Sequence, residues 1–272
     1  MQVLFRVSSQ IALFLTATMF CRFAKNVLHS NILNWFASGF QTQMKAVVKL
    51  GGALFKRDPD VDALRSMGKV LSTFASEGNQ LVAVAGGGQN ARVYIDVARK
   101  LGADESTSDL LGITVTRANA ELFRLALGSV AVTKIPAMLS ELTHYVSPGK
   151  VVVIGGLQPG QSTNAVAALA AEITHADFLV NATDVQGVYT ADPKKDPKAK
   201  MLRSVSVEKL LSWAMVGDVY AGKYELLDPV ALKIMQRARI PTRFVSMDDP
   251  SNITSALRGR DIGTLVSYSR EV

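Results

Sequence analysis

A single cysteine, Cys21, excludes an internal disulfide, and with only three histidines the chain has too few soft ligands for a Cys/His zinc centre. Nine prolines and 20 glycines in 272 residues are too few for a collagen-like or low-complexity chain. No apolar run reaches the roughly 20 residues of a membrane span. Ile11–Phe20 comes nearest, and it is short and interrupted by Thr16 and Thr18. Lys and Arg never cluster with interleaved aromatics, so a nucleic-acid groove is not expected. The densest basic run, Lys194 to Arg203, is mixed with Asp192, Asp196 and two prolines and reads as a solvated loop. What remains is 48% hydrophobic and 19% charged, the balance of an intracellular globular protein with no membrane partner.

The formal charge of +7 is unevenly spread. Residues 1–44 hold Arg6, Arg22 and Lys25 and no acid. The rest carries 27 Lys and Arg against 23 Asp and Glu, a mild +4. The first 44 residues suit three readings: a signal-like segment without a clean cleavage site, an acid-free organelle leader, or an upstream stretch before a true start at Met44. The third is preferred, because Met44 directly precedes the first strand pattern.

From Lys45 the chain alternates apolar runs with helical patterns. Strands are expected at Ala46–Leu50, Leu81–Ala85, Val151–Ile154 and Phe178–Asn181. Val61, Leu64, Met67, Leu71 and Phe74 mark one helix face. Further helices are expected over Asn90–Leu101, Ser108–Leu127, Ala165–Ile173 and Val207–Met215, with Ser162 or Thr163 as the N-cap of the third. Repeated strand–turn–helix units imply an α/β fold, a largely parallel sheet with helices on both faces. The second half of the chain is expected to form a nucleotide-facing lobe against the first.

Three of these strands run into consecutive glycines: Gly51-Gly52, Gly86-Gly87-Gly88 and Gly155-Gly156. Helix N-termini offer unpaired N–H groups to phosphate oxygens, and glycine lets a backbone come close. Such turns also use glycine for packing alone. Gly155 to Ser162 has the spacing of a P-loop, but Gln161 stands where its lysine would be, and the glycine triplet is no dinucleotide fingerprint. Positive charge must come from elsewhere, and Lys49 and Arg92 are placed to supply it. The stretch from Asn181 to Pro193 adds hydroxyls, an aromatic ring and carboxylates, groups that suit a nucleoside, but taken alone the stretch reads first as a capped Asx turn.

Taken in order, Lys49-Leu50-Gly51-Gly52, Gly86 to Arg92, Asp109 to Ile113, Thr116 to Ala120, Gly155 to Thr163 and Thr183 to Pro197 resemble the amino acid kinase superfamily. Within it they look most like archaeal-type UMP kinases, from about Lys45 onward. The resemblance implies a three-layer α/β/α sandwich for residues 45–272, with residues 1–44 as an extension. It implies transfer of the ATP γ-phosphoryl group to UMP with Mg²⁺, in a cytoplasmic homohexamer serving pyrimidine biosynthesis. Gly52, Ala53, Gly88, Arg92, Thr183, Asp184, Tyr189 and Asp192 would hold ATP. Gly87, Asp109, Leu157, Gln158, Pro159, Gly160, Gln161, Ser162 and Thr163 would hold UMP, Asp109 through the ribose. Lys49, Arg92 and Asp228 would carry the transfer, Lys49 as the main cation. Asp228 is read either as a carboxylate orienting Lys49 or the metal, or as a helix cap. No residue is assigned as a direct metal ligand.

Two positions depart from the pattern: Asn164 and Gln186 stand where relatives commonly have Asp. Asn164 keeps open an alternative, a nucleotide- or oxyanion-binding protein of the same fold without turnover. An isopentenyl phosphate kinase would need a histidine in the helix after the glycine triplet, and Gln89 to Tyr94 has none. His144 and His175 read as surface or helix-end residues.

Overall fold

The computed structural model describes residues 43–215 and 228–268. Of the 44 residues given the three N-terminal readings, 1–42 lie outside them. The strands are β1 (Lys45–Leu50), β2 (Gln80–Ala85), β3 (Val151–Ile154), β4 (Phe178–Thr183), β5 (Ser204–Ser206), β6 (Thr242–Ser246) and β7 (Thr264–Ser267). They form one sheet in the order β3-β2-β1-β4-β6-β7-β5. Every pairing is parallel except β6 with β7. The expected α/β architecture is present. The two halves of the chain share one sheet: β4, β6, β7 and β5 extend what β1 to β3 begin, because β4 bonds directly to β1.

The helices are α1 (Val61–Ser76), α2 (Gly88–Lys100), α3 (Glu105–Leu127), α4 (Leu142–Tyr145), α5 (Thr163–Ile173), α6 (Val207–Met215), α7 (Pro229–Ala238) and α8 (Ser251–Leu257). Successive residues of β1 point to opposite faces. Ala46, Val48 and Leu50 pack with Leu64, Met67, Leu71 and Phe74 of α1, Phe123 of α3 and Ile253 of α8. Val47 packs on the other face with Ala165 to Ala171 of α5, Leu210 of α6 and Leu232 of α7. Each large side chain so buried contributes about 1.5–3 kcal/mol. None of the helices among the described residues is long and apolar enough to cross a membrane.

Side-chain caps fix the starts of α1, α3, α5 and α7. Asp60 accepts from the N–H groups of Asp62 and Ala63 at the head of α1. Asp104 accepts from Thr107, so α3 begins three residues before its apolar pattern does. Ser162 accepts from Asn164 and Ala165 and caps α5, as its position suggests. β5, β6 and β7 leave no apolar run in the sequence: they are short, and Ser204, Ser206, Thr242, Arg243, Ser246, Thr264 and Ser267 make them polar.

Candidate active site

The chain runs outward from β1 through β2 to β3 and returns as β4 on the other side of β1. Open α/β sheets bind ligands beyond the strand C-termini at such a reversal. A cavity of about 470 Å³ lies there, lined by Lys49, Gly52, the turn Gly86–Gly88, Arg92, the head of α5 and Asp228. That volume is within the usual range of small-molecule sites.

Its donor side is the head of α2. Whereas α1, α3, α5 and α7 each begin on a side-chain cap, α2 begins on Gly87 without one. Its first N–H groups and its positive dipole end are therefore available to an anion. Close backbone packing shapes this edge. Gly88 has φ +65°, and a Cβ on it would lie 1.9 Å from the Phe55 carbonyl. A Cβ on Gly52 would lie 2.9 Å from Gly88 Cα. Only glycine fits where the β1 and β2 turns touch. Lys49 projects from the end of β1 and Arg92 from the first turns of α2, so two cations border the same cavity.

The acceptor side is the head of α5. Asp228 uses both carboxylate oxygens: Oδ1 accepts from Val230 N–H at 2.8 Å and caps α7, and Oδ2 accepts from the Ser162 hydroxyl. It is thus a helix cap that also borders the cavity, as Lys49 does. Asn164 is buried, and its Oδ1 accepts from Asn181 Nδ2 at 3.0 Å. Asn181 lies on β4 directly across from Lys49 of β1. A neutral amide pair therefore backs the lysine, where a buried carboxylate would require charge compensation.

Of the residues expected to bind nucleotides, Gly52, Gly87, Gly88, Arg92, Ser162 and Thr163 line the cavity with Lys49 and Asp228. Ala53 is exposed in the short turn Gly52–Leu54 beside it. Leu157 to Gln161 form the loop between β3 and α5, with Gly160 at φ +76°. Asp109 Oδ2 accepts from Gly160 N–H at 2.8 Å, so the expected ribose ligand also ties this loop to α3. Thr183 and Asp184 end β4 outside the cavity lining, and Tyr189 and Asp192 follow in the next loop. Burial pushes the Asp184 carboxyl up, but the Lys194 ammonium and the Thr183 hydroxyl outweigh it and hold it below its ordinary value. Asp192 accepts from Lys194 N–H and shapes a turn. Gln186 is exposed.

Residues 44–246 match the model of the amino acid kinase family. The chain belongs to that family. It is 43% identical to a uridylate kinase of Metallosphaera sedula over 224 residues, 82% of this chain and 99% of that one. A uridylate kinase of Methanobrevibacter smithii is 38% identical over 223 residues, again 82% and 99%. The crystal structure of uridylate kinase from Archaeoglobus fulgidus superposes with a TM-score of 0.73 at 36% identity, covering 82% of this chain and all of that one.

In this member of the amino acid kinase family, α3 reaches both glycine turns, which the sequence reading did not anticipate. Thr116 Oγ1 accepts from Gly156 N–H at 2.6 Å. A Cβ on Gly155 would lie 2.7 Å from that same oxygen and 2.8 Å from Arg117 N. Arg117 donates to the carbonyls of Gly156 at 3.2 Å and of Ala137 and Leu157 at 3.3 Å each. Asn119 Nδ2 donates to the Gly86 carbonyl at 2.8 Å and the Gly87 carbonyl at 3.1 Å. One signal was in the sequence: Thr116 and Asn119 are polar residues three apart on a buried helix face.

Proposed function

We propose that this chain is a uridylate kinase, transferring the γ-phosphoryl group of ATP to UMP and releasing ADP and UDP. One observation carries the reading: the uncapped head of α2, Lys49 and Arg92 all border one cavity at the sheet reversal. A UMP phosphate oxygen attacks the γ-phosphorus as the bond to the β-phosphate oxygen breaks. The protein's work is positioning and charge neutralisation. Lys49 offsets the charge on the transferring group, and Arg92 with the N–H groups of α2 holds the donor phosphates. The loop Leu157 to Thr163 and Asp109 hold UMP. The stretch from Thr183 to Asp192 holds the adenosine end.

The donor set suits Mg²⁺ carried in by the nucleotide. Among the described residues no three His, Cys, Asp or Glu side chains form a metal group, and Asp228 is the carboxylate beside the cavity. Mg²⁺ commonly takes few protein ligands and completes its shell with phosphates and water. When bound it would draw charge off the phosphate oxygens.

The same reading makes residues 45–272 the catalytic unit, residues 1–44 an extension, and the protein a cytoplasmic homo-oligomer in pyrimidine biosynthesis, a hexamer by its resemblance to UMP kinases. Val93, Tyr94 and Val97 of α2, with Leu101 at its C-cap, expose an apolar stripe, a surface suited to a second copy. The test is ADP release by the full chain with MgATP against UMP, CMP, AMP and isopentenyl phosphate. Turnover selective for UMP supports the kinase. Saturable UMP binding without ADP release would favour the non-catalytic binding protein and direct attention to Asn164. Light scattering on the same sample reads the oligomeric state.

A further inference from the structure

The contacts of α3 carry a consequence for the reaction, resting on the kinase reading above. No cis peptide bond occurs among the described residues. In a trans peptide the N–H of one residue points opposite the C=O of the residue before it. Asn119 holds the carbonyls of Gly86 and Gly87, so the N–H groups of Gly87 and Gly88 are turned away from α3. Arg117 holds the carbonyls of Gly156 and Leu157, and the N–H groups of Leu157 and Gln158 are likewise turned away.

Two neighbouring side chains on one rigid helix thus set the peptide planes of two loops that are distant in sequence. We propose that Arg117 and Asn119 are positioning residues: Asn119 aims the N–H donors of the turn after β2 and Arg117 those of the loop after β3. The separation between these two sets of N–H donors is then set by α3. Neither side chain lines the cavity, so neither needs to touch substrate. The third carbonyl on Arg117, that of Ala137, anchors the guanidinium from outside the loop. A lysine in its place could reach only part of this set, because an ammonium lacks the planar fork of a guanidinium.

The test compares the full-length protein with Arg117→Met, Arg117→Lys, Asn119→Leu and Asn119→Ser. Arg117→Met is expected to raise KM for UMP by ~10-fold with KM for ATP within about twofold, since the loop it frees binds the acceptor. Asn119→Leu is expected to lower kcat by ~10–100-fold with smaller changes in either KM, since a small misplacement is costly at the transition state. The Lys and Ser variants keep a donor and should recover part of each loss. They also carry the comparison if the Met or Leu protein does not fold. Activity lost only in proportion to the folded fraction, with no split between kcat and KM, overturns the proposal.

Hydrogen exchange on the nucleotide-free proteins separates this idea from the kinase reading. Faster exchange confined to Gly86–Asn90 in Asn119→Leu and to Gly155–Gly160 in Arg117→Met supports the positioning role whatever the substrate. Unchanged exchange in both segments defeats it. A wild-type protein that fails to turn over UMP while the variants show these exchange changes would sink the kinase reading and leave the positioning role standing.

Discussion

At the end of β2, Gly88 lies at φ +65° with its α-carbon against the Phe55 carbonyl and Gly52. At the end of β3, Gly155 and Gly156 show no positive φ. What excludes a Cβ there is the body of α3, with Thr116 and the Arg117 backbone inside 3 Å of it on Gly155. The β2 turn opens an uncapped helix onto the cavity, whereas the β3 turn is a packing seam followed by a loop. Two Gly-Gly signals that look alike thus separate into a turn that opens on the cavity and a joint that packs against a helix.

Gly88→Ala should have the largest effect. The left-handed conformation costs about 1–2 kcal/mol for an alanine, and relieving the overlap costs about another 1–3. A melting temperature close to wild type would break the distinction between the turns. Lys49→Ala comes next. Removing a charge aimed at the transferring group should cut kcat by ~100–1,000-fold while UMP affinity is largely kept. Steady-state kinetics paired with calorimetric UMP titration reads both, and an unchanged kcat removes Lys49 from the mechanism.

Gly155→Ala should cost about 1–3 kcal/mol through overpacking against α3. Denaturant unfolding measures it, and the loss should appear in stability before it appears in ATP affinity. The smallest effect is acid sensitivity on the β3 side, where Glu141 accepts from the N–H groups of Ala137 and Met138. The Lys134 ammonium, then those two backbone donors, hold the Glu141 carboxyl down to about 2, below its ordinary value of 4.5. A depressed carboxyl stabilises fully above that ordinary value and loses its contribution as pH falls toward 2. Melting curves of wild type and Glu141→Gln should therefore differ at pH 6 and converge as pH approaches 2. A gap that persists at pH 2 would exclude this ionisation as the cause.

β1 to β4 were legible because parallel strands buried on both faces read as unbroken apolar runs. A cap at Ser162 or Thr163 was legible just before an alanine-rich helix, and the structure selects Ser162. β5 to β7 hid behind Thr, Ser and Arg, whose burial depends on neighbours supplied from elsewhere in the chain. At the site, Lys49, Arg92 and the glycine triplet could be picked out locally, since each sits at a strand end or in the helix turns that follow. Asp228 could not be resolved from sequence: its two oxygens serve a cap and Ser162 at once, and the second partner is 66 positions away.

The strand–turn–helix rhythm, the glycine-marked strand ends and the cations beside them are properties of neighbouring residues, so they are set along the chain before it folds. Which glycines border the cavity and which pack on a helix is fixed by tertiary packing alone. The same holds for Asn164, whose partner is Asn181, and for Arg117 and Asn119, whose partners lie 20 to 40 positions away. Hydrogen bonds over such spans exist only once α3 and α5 are packed on the sheet, and no local pattern encodes them.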